Sequence, residues 1–246
     1  MSRPPGRLVG IGNTAGMDRV EALPRVIAEV ARSLQAETGT GDTMDLAVRL
    51  ALEVVDGGEH AGISMVYRSG LVETPAFTDE RVLRADQIQH DLGEGPGLTA
   101  VRDEHAVSCP DLAAESRWGK WGLRTSEETG FGSMLCFRMF TQDECLGVLS
   151  VYADHPRAFT GADVDCGISF AAHTAIAIAV ARQDENKDIA MDSRSLIGQA
   201  TGIVMDRYDL DAVRAFAVLK RISTQNNVKL HQVAVELIRT RHLPDR

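Results

Sequence analysis

Every strand signal in this chain of 246 residues lies before residue 154, so any sheet must be complete by then and all that follows must be helix. The signals come largely as two pairs. "HAGISMVYR" (60–68) sets Ile63, Met65 and Tyr67 on one side, a Ser-Gly turn follows at 69–70, and "LVETPAFT" completes a hairpin. "FGSMLCFRMFTQ" and "CLGVLSVYA" form the second pair across a polar turn at Asp143–Glu144, and "HAVSC" adds a brief strand. Helical periodicity fills the rest. One helix is expected from about Asp18 to Ala36, with Leu23, Val26, Ile27, Val30 and Leu34 inward; a second is capped by Asp42, with Met44, Ala47, Val48, Ala51, Leu52 and Val55 inward. Residues 80–90 read as helix, "LGEGPG" (92–97) as a loop opening a short helix, and 111–129 as short helices with loops. Thr160 caps a long helix, Gly161–Arg182, that carries no charge from Cys166 to Ala181. This order predicts an α+β domain, an antiparallel sheet flanked by helices, followed by an all-α three-helix C-terminal domain.

The boundaries expected are a flexible N-terminus (1–17), a sensor-sized domain (18–182), a charged helical linker (183–192) and a helical domain (189–246). "GIGNTAG" near the start has GxGxxxG spacing with no strand before it, so it is no dinucleotide loop. The net charge of −9 excludes a chain that coats nucleic acid over its whole surface. From Ile189 onward, however, nine Lys/Arg stand against six Asp/Glu, a net of +3 that leaves −12 on residues 1–188. An anionic partner is therefore expected at the tail. The four cysteines form no CxxC pair and no metal spacing with histidine, which reads as free thiols and no metal site. The longest apolar run, "CGISFAAHTAIAIAVA", is shorter than the roughly 20 residues of a membrane span, so a cytoplasmic chain with no membrane partner is expected. No HExxH, GxSxG or kinase signature occurs, and no enzyme is expected.

Within the tail, helices are read at about Ile189–Tyr208, Ala212–Gln225 (capped by Asp211) and Val228–Arg241 (capped by Asn227). Ala212, Phe216, Leu219 and Ile222 form the expected inner stripe of the second; Leu230, Val233, Ala234, Leu237 and Ile238 form that of the third. The first contains Gly198 and Gly202, one turn apart, each costing about 1 kcal/mol relative to alanine. Together with Ala200 and Ile203 they imply close approach by another backbone. A tight crossing within the chain, a second subunit and a phosphate backbone are the three alternatives.

"SLIGQATGIVMDRYDLDAVRAFAVLKRISTQNNVKLHQVAVEL" resembles the ANTAR domain, the RNA-binding three-helix module of bacterial transcription antiterminators, without a gap. The resemblance implies a dimer that binds paired RNA stem-loops and prevents a terminator hairpin from forming. Where the family commonly has lysine, this chain has Thr201, which keeps a hydroxyl. With Phe216 assigned to a buried stripe, no stacking platform is expected, and recognition falls to Arg194, Thr201, Arg207, Arg214, Lys220, Arg221, Lys229, His231 and Arg239. The front region, through "LGEGPGLTAVRDEHAVSCPDL", "RW" and "FGSMLCFRMFTQDECLGVLSVYADHPRAFTGADVD", resembles a GAF domain, a small-molecule-sensing fold. That resemblance implies an effector pocket with Tyr67, Trp118, Trp121, Phe131 and Phe137 as walls and Glu94 and Arg117 as polar anchors; no cofactor is evident. "GEGPG" reads as a sharp turn, or alternatively as an amide nest for an anion. Other functional classes fit the helical tail as well: a DNA-binding regulator using the last two helices, or a protein-docking module.

Overall fold

The computed structural model describes residues 19–67, 69–102, 105–142 and 144–242, with side chains from residue 25 onward. The expected flexibility of 1–17 and the inward placement of Leu23 lie outside the described residues. Five strands pair antiparallel throughout: β1 (His60–Val66), β2 (Val72–Phe77), β3 (Ala106–Cys109), β4 (Ser133–Phe140) and β5 (Cys145–Ala153), in the order β2-β1-β5-β4-β3. The central pairing sets Ile63 opposite Leu149 and Cys136 opposite Ser150. At Gly147 (φ 155°) a Cβ would lie 2.0 Å from the Ser64 carbonyl oxygen, so only glycine lets β5 approach β1 there.

Helices cover both faces, which is why β1, β4 and β5 read as nearly continuous apolar runs. The helices are α1 (Arg19–Gln35), α2 (Thr40–Val54), α3 (Glu80–Leu92), α4 (Pro96–Arg102), α5 (Trp121–Thr129) and α6 (Gly161–Tyr208). On one face Ile63, Met65, Leu135, Phe137, Leu149 and Val151 share a core with Val30 and Leu34 of α1, Ala47 and Ala51 of α2, and Phe170, Ala175 and Ile178 of α6. A Cβ at Gly167 would lie 2.0 Å from the Phe137 ring, so a bare helix position lets α6 close on the sheet. On the other face Cys136, Val148 and Tyr152 meet Val82, Ala85 and Ile88 of α3, Ala100 of α4 and Trp121 of α5.

The caps depart from expectation in one place. Gly39, in extended conformation, occupies the N-cap of α2 and its carbonyl accepts from the Thr43 amide and hydroxyl; Asp42 lies in the first turn. A first-turn carboxylate still favours the helix through its dipole. Thr160 does stand before α6, where its amide and hydroxyl both donate to Asp163 Oδ2 at 2.8 and 2.6 Å, the reciprocal arm of a capping box.

Across 161–208 two helices joined by a charged helical linker were expected, and one helix of 48 residues runs through all three segments. "RQDENKDIAMD" changes composition but holds no glycine or proline, and Lys187 pairs with Asp184 one turn back. A change of composition is no helix stop. By length and by one 18-residue apolar window α6 is able to cross a membrane, but half of that window is buried in the fold, as in a core helix. Contacts divide the chain into two compact units, Met1–Arg182 and Gln183–Arg246.

The second unit packs α7 (Ala212–Gln225) and α8 (Leu230–Thr240) on the end of α6 around Ala200, Val204, Ala215, Leu219, Val233, Ala234 and Leu237. α6 ends with Asp209 at φ 52° and the Leu210 amide on the Met205 carbonyl. α7 ends the same way, with Asn227 at φ 51° and the Val228 amide on the Ser223 carbonyl. These are six-to-one Schellman closures. Asp211 caps α7 by accepting from the Arg214 amide at 2.8 Å. Asn227 therefore closes α7 and does not cap α8, whose N-cap is Lys229 with no side-chain bond.

Candidate nucleic-acid interface and sensor cavity

Along the end of α6 the apolar positions that face the core are Ala200 and Val204; Gly198 and Gly202 point elsewhere. A Cβ built on either glycine meets nothing within 4 Å. The reading of a tight crossing within the chain is thereby overturned, and the glycines floor an open groove. Arg194, Ile197, Thr201 and Met205 continue it along α6, Ala212 and Phe216 form its α7 side, and Leu230 of α8 closes it, around a volume of about 650 Å³. Ile203 turns partly into the core instead.

Phe216 was expected inside. Its ring is 41% exposed and walls the groove, because the buried residues of α7 are Ala215 and Leu219, a stripe rotated by one residue. An aromatic surface is present after all, with Tyr208 also exposed. From Ala212 to Arg241 six Lys/Arg stand against one carboxylate, Glu236. Glu236 is taken by Arg239, and Arg214 pairs with its own cap, Asp211. Arg207 donates to the Arg241 carbonyl. Among the described residues Arg194, Lys220, Arg221 and Lys229 are exposed and hold no ion pair, and His231 is half-buried. The Thr201 hydroxyl donates to the Ile197 carbonyl at 2.7 Å, so its oxygen lone pairs rather than its proton face outward.

In the first unit a small cavity of about 50 Å³ lies beneath α3 and α4, lined by Ser64, Val66, Val72, Asp86, Gln89, His90, Gly97, Leu98, Val101 and Val148. Asp86 Oδ2 accepts from the Ser64 and Thr74 hydroxyls at 2.6 and 2.7 Å, and Oδ1 accepts from Gln89 Nε2 at 3.2 Å. Gln89 in turn accepts from the Gly97 amide at 2.8 Å. "GEGPG" owes its last two glycines to this contact, since a Cβ would lie 2.5 Å from the Gln89 side chain at Gly95 (φ 146°) and 3.1 Å from it at Gly97, whereas Gly93 (φ 66°) is the left-handed C-cap of α3. The loop wraps a glutamine, so the amide at Gly97 is spoken for. Burial raises the Asp86 pKa against the three side-chain bonds, which lower it.

None of the seven side chains expected around the pocket lines this cavity. Trp121 and Phe131 are fully buried in the core beside it, and Phe137 is buried on the opposite face of the sheet. Trp118 donates its indole N–H to Thr99 Oγ1 at 2.9 Å, and the Arg117 guanidinium stacks 4.3 Å over its ring while bonding Glu115. Glu94 accepts from the Lys120 amide, and Tyr67 is exposed beyond the end of β1. Trp118, Arg117 and Glu94 hold the helical middle together. Asp86 and Gln89 were missed because their partners lie on other elements. The sulfurs are also structural. All four cysteines are free, burial drives the Cys109 thiol far above its usual range, and it pushes Cys136 up to about 12. His173 donates from Nδ1 to the Ser169 carbonyl, as a packing histidine does.

Comparisons with known proteins follow the two units. The family model of the GAF domain matches residues 37–179, and that of the ANTAR domain matches residues 188–238. No curated protein matches the chain. Among solved structures, the GAF domain from Acinetobacter phosphoenolpyruvate-protein phosphotransferase aligns with a TM-score of 0.52 at 16% identity, over 68% of this chain and 97% of that one. The free methionine-R-sulfoxide reductase from Neisseria meningitidis, in complex with its substrate, aligns with a TM-score of 0.53 at 16% identity, over 69% and 95%. The GAF domain of a phosphoenolpyruvate-protein phosphotransferase from Coxiella burnetii gives 0.52 at 16%, over 69% and 99%. At such identities the likeness is one of fold.

Proposed function

The chain belongs to the GAF-domain family and carries an ANTAR domain behind it, and from that premise we propose that it is a dimeric, cytoplasmic, non-enzymatic RNA-binding antitermination regulator. The ANTAR module takes RNA stem-loops and keeps a terminator hairpin from forming; the GAF unit binds a small-molecule effector and controls it. The observation that carries this reading is the glycine-floored groove within the matched 188–238 segment, walled by an exposed Phe216 and accompanied by unpaired cations. Phosphates supply most of the affinity of such a surface, while unpaired loop bases have an aromatic face to stack on. Arg194, Lys220, Arg221 and Lys229 carry the charge; Arg239 and Arg214 contribute less, being paired. Gly198 and Gly202 admit the backbone that fills the groove.

The exposed apolar positions Ile168, Ile176 and Val180 on α6 support dimerisation, since a second copy removes them from water. A ligand controls the RNA module only by favouring one arrangement of the chain over another. The test is competition between a fluorescent tandem stem-loop RNA and duplex DNA for the full chain at fixed salt, with the mass measured by light scattering. The reading requires a dimer that prefers the RNA; preference for duplex DNA transfers it to a DNA-binding regulator, and binding of neither transfers it to a protein-docking module.

A further inference from the structure

The cavity under α3 and α4 is faced by a carboxylate that accepts on both oxygens, Oδ2 from the Ser64 and Thr74 hydroxyls and Oδ1 from Gln89 Nε2, and withdrawing its charge from water carries a cost that neutral donors only partly offset. Among the described residues no Lys, Arg or His makes an ion pair with Asp86, and its three partners are neutral donors. Oδ1 is the under-used oxygen, with a single contact of 3.2 Å. A half-buried charge without a counter-ion, facing a cavity, is incomplete.

The rest of the lining narrows what completes it. Val66, Val72, Leu98, Val101 and Val148 are apolar, which leaves Ser64, Gln89 and His90 beside Asp86, fewer oxygens than the roughly six to eight of a calcium shell, and the volume of about 50 Å³ is far below the roughly 300–1,000 Å³ that encloses a drug-sized ligand. We propose that the effector of the GAF unit is a small organic cation, an ammonium or amidinium head on a short apolar body, held by Asp86 with its carbon atoms against Val66, Leu98 and Val101. This rests on the reading of that unit as a sensor and names the class of molecule sensed. The Asp86 carboxylate binds the cation and its protonated form does not, so affinity rises with pH across the Asp86 titration. His90 is the other ionisable side chain on the lining, and a His90→Gln variant isolates the Asp86 contribution.

The experiment titrates the full chain with n-propylammonium and acetamidinium by calorimetry and thermal shift. n-Butanol, n-butyrate, potassium and magnesium ions are the comparison arms, and tandem stem-loop RNA binding is measured in parallel. The expected result is saturable binding of the organic cations, one per chain, at least tenfold tighter than any other arm. Asp86→Asn loses that tenfold with an unchanged circular dichroism spectrum, Val101→Phe loses it by filling the cavity, and His90→Gln keeps the pH dependence. Equal affinity for butanol or butyrate, preference for a metal ion, or full cation affinity in Asp86→Asn overturns the inference and leaves the sensor reading standing. Binding of no arm likewise overturns the inference and leaves the sensor reading standing. Loss of RNA binding alone strikes the regulator reading and not this one.

Discussion

Replacing Gly198 and Gly202 by alanine separates stability from function with opposite signs. Both lie in a helix interior, and a Cβ on either meets nothing within 4 Å, so neither variant creates a clash. Each substitution recovers the helix propensity that glycine forfeits, about 1 kcal/mol, and the pair about 2 kcal/mol. For a chain of this size melting as one unit, that raises Tm by about 4–8 °C. Two methyl groups on the groove floor meanwhile push any backbone seated there outward, and RNA affinity falls. Thermal denaturation by circular dichroism, fluorescence anisotropy with a tandem stem-loop RNA and light scattering make the measurement on one preparation. A lower Tm refutes the claim that the groove is empty in the free protein. A higher Tm with unchanged RNA affinity refutes the claim that RNA fills it, and a loss of dimer assigns the floor to a second copy. Gly147→Ala is the contrasting control: its Cβ lands on the Ser64 carbonyl, and the sheet loses stability.

Phe216→Ala is expected to cost RNA binding about 1–3 kcal/mol, the worth of one stacked base, with little change in Tm because the ring is exposed. Asp79 caps α3, and the Arg81 side chain beside it holds its carboxyl below the usual range. Its contribution is complete above the ordinary aspartate pKa and is lost as pH falls through the lowered folded value, so Asp79→Asn flattens the acid limb of the Tm–pH curve. Asp86 has the opposite sign. Its folded pKa is raised, so the native state binds the proton more tightly and stability falls as pH rises from the ordinary aspartate value through the raised one. Asp86→Asn removes that fall from the Tm–pH curve. Trp118→Phe removes the indole bond to Thr99, whose hydroxyl keeps the Gly95 carbonyl as acceptor, and costs about 0.5–1.5 kcal/mol in denaturant titrations.

The strand pairs and the helical tail were legible because their patterns are local: alternation in β1, β4 and β5, and i, i+3, i+4 spacing in α8. Finer points failed where two local rules tie. In α7, Ala212, Phe216 and Leu219 have helical spacing as convincing as Ala215 and Leu219, and only packing against α6 and α8 decides which stripe turns inward. Asn227 is a good cap and an equally good left-handed residue, and the end of α7 claimed it first. The linker between 183 and 192 was legible as helix because nothing in it stops one, although its charges mark a change of composition after an alanine-rich stretch. The cavity beneath α3 and α4 was out of reach altogether. Its polar contacts join Ser64 and Thr74 of the first hairpin to Asp86, and Gln89 to Gly97 eight residues on, and no spacing rule pairs such positions.

The central claim is that the C-terminal unit grips folded RNA through exposed cations around the glycine groove, and its most direct test is the salt dependence of tandem stem-loop binding. Four phosphate contacts, from Arg194, Lys220, Arg221 and Lys229, predict a slope of about −3 to −4 in log K against log salt, a loss of about 50–150-fold between 50 and 200 mM. Reversing Lys220 and Arg221 to glutamate removes about half of that slope in a protein with an unchanged melting curve. Affinity that ignores salt, or a double reversal that binds as tightly as the parent, contradicts the account.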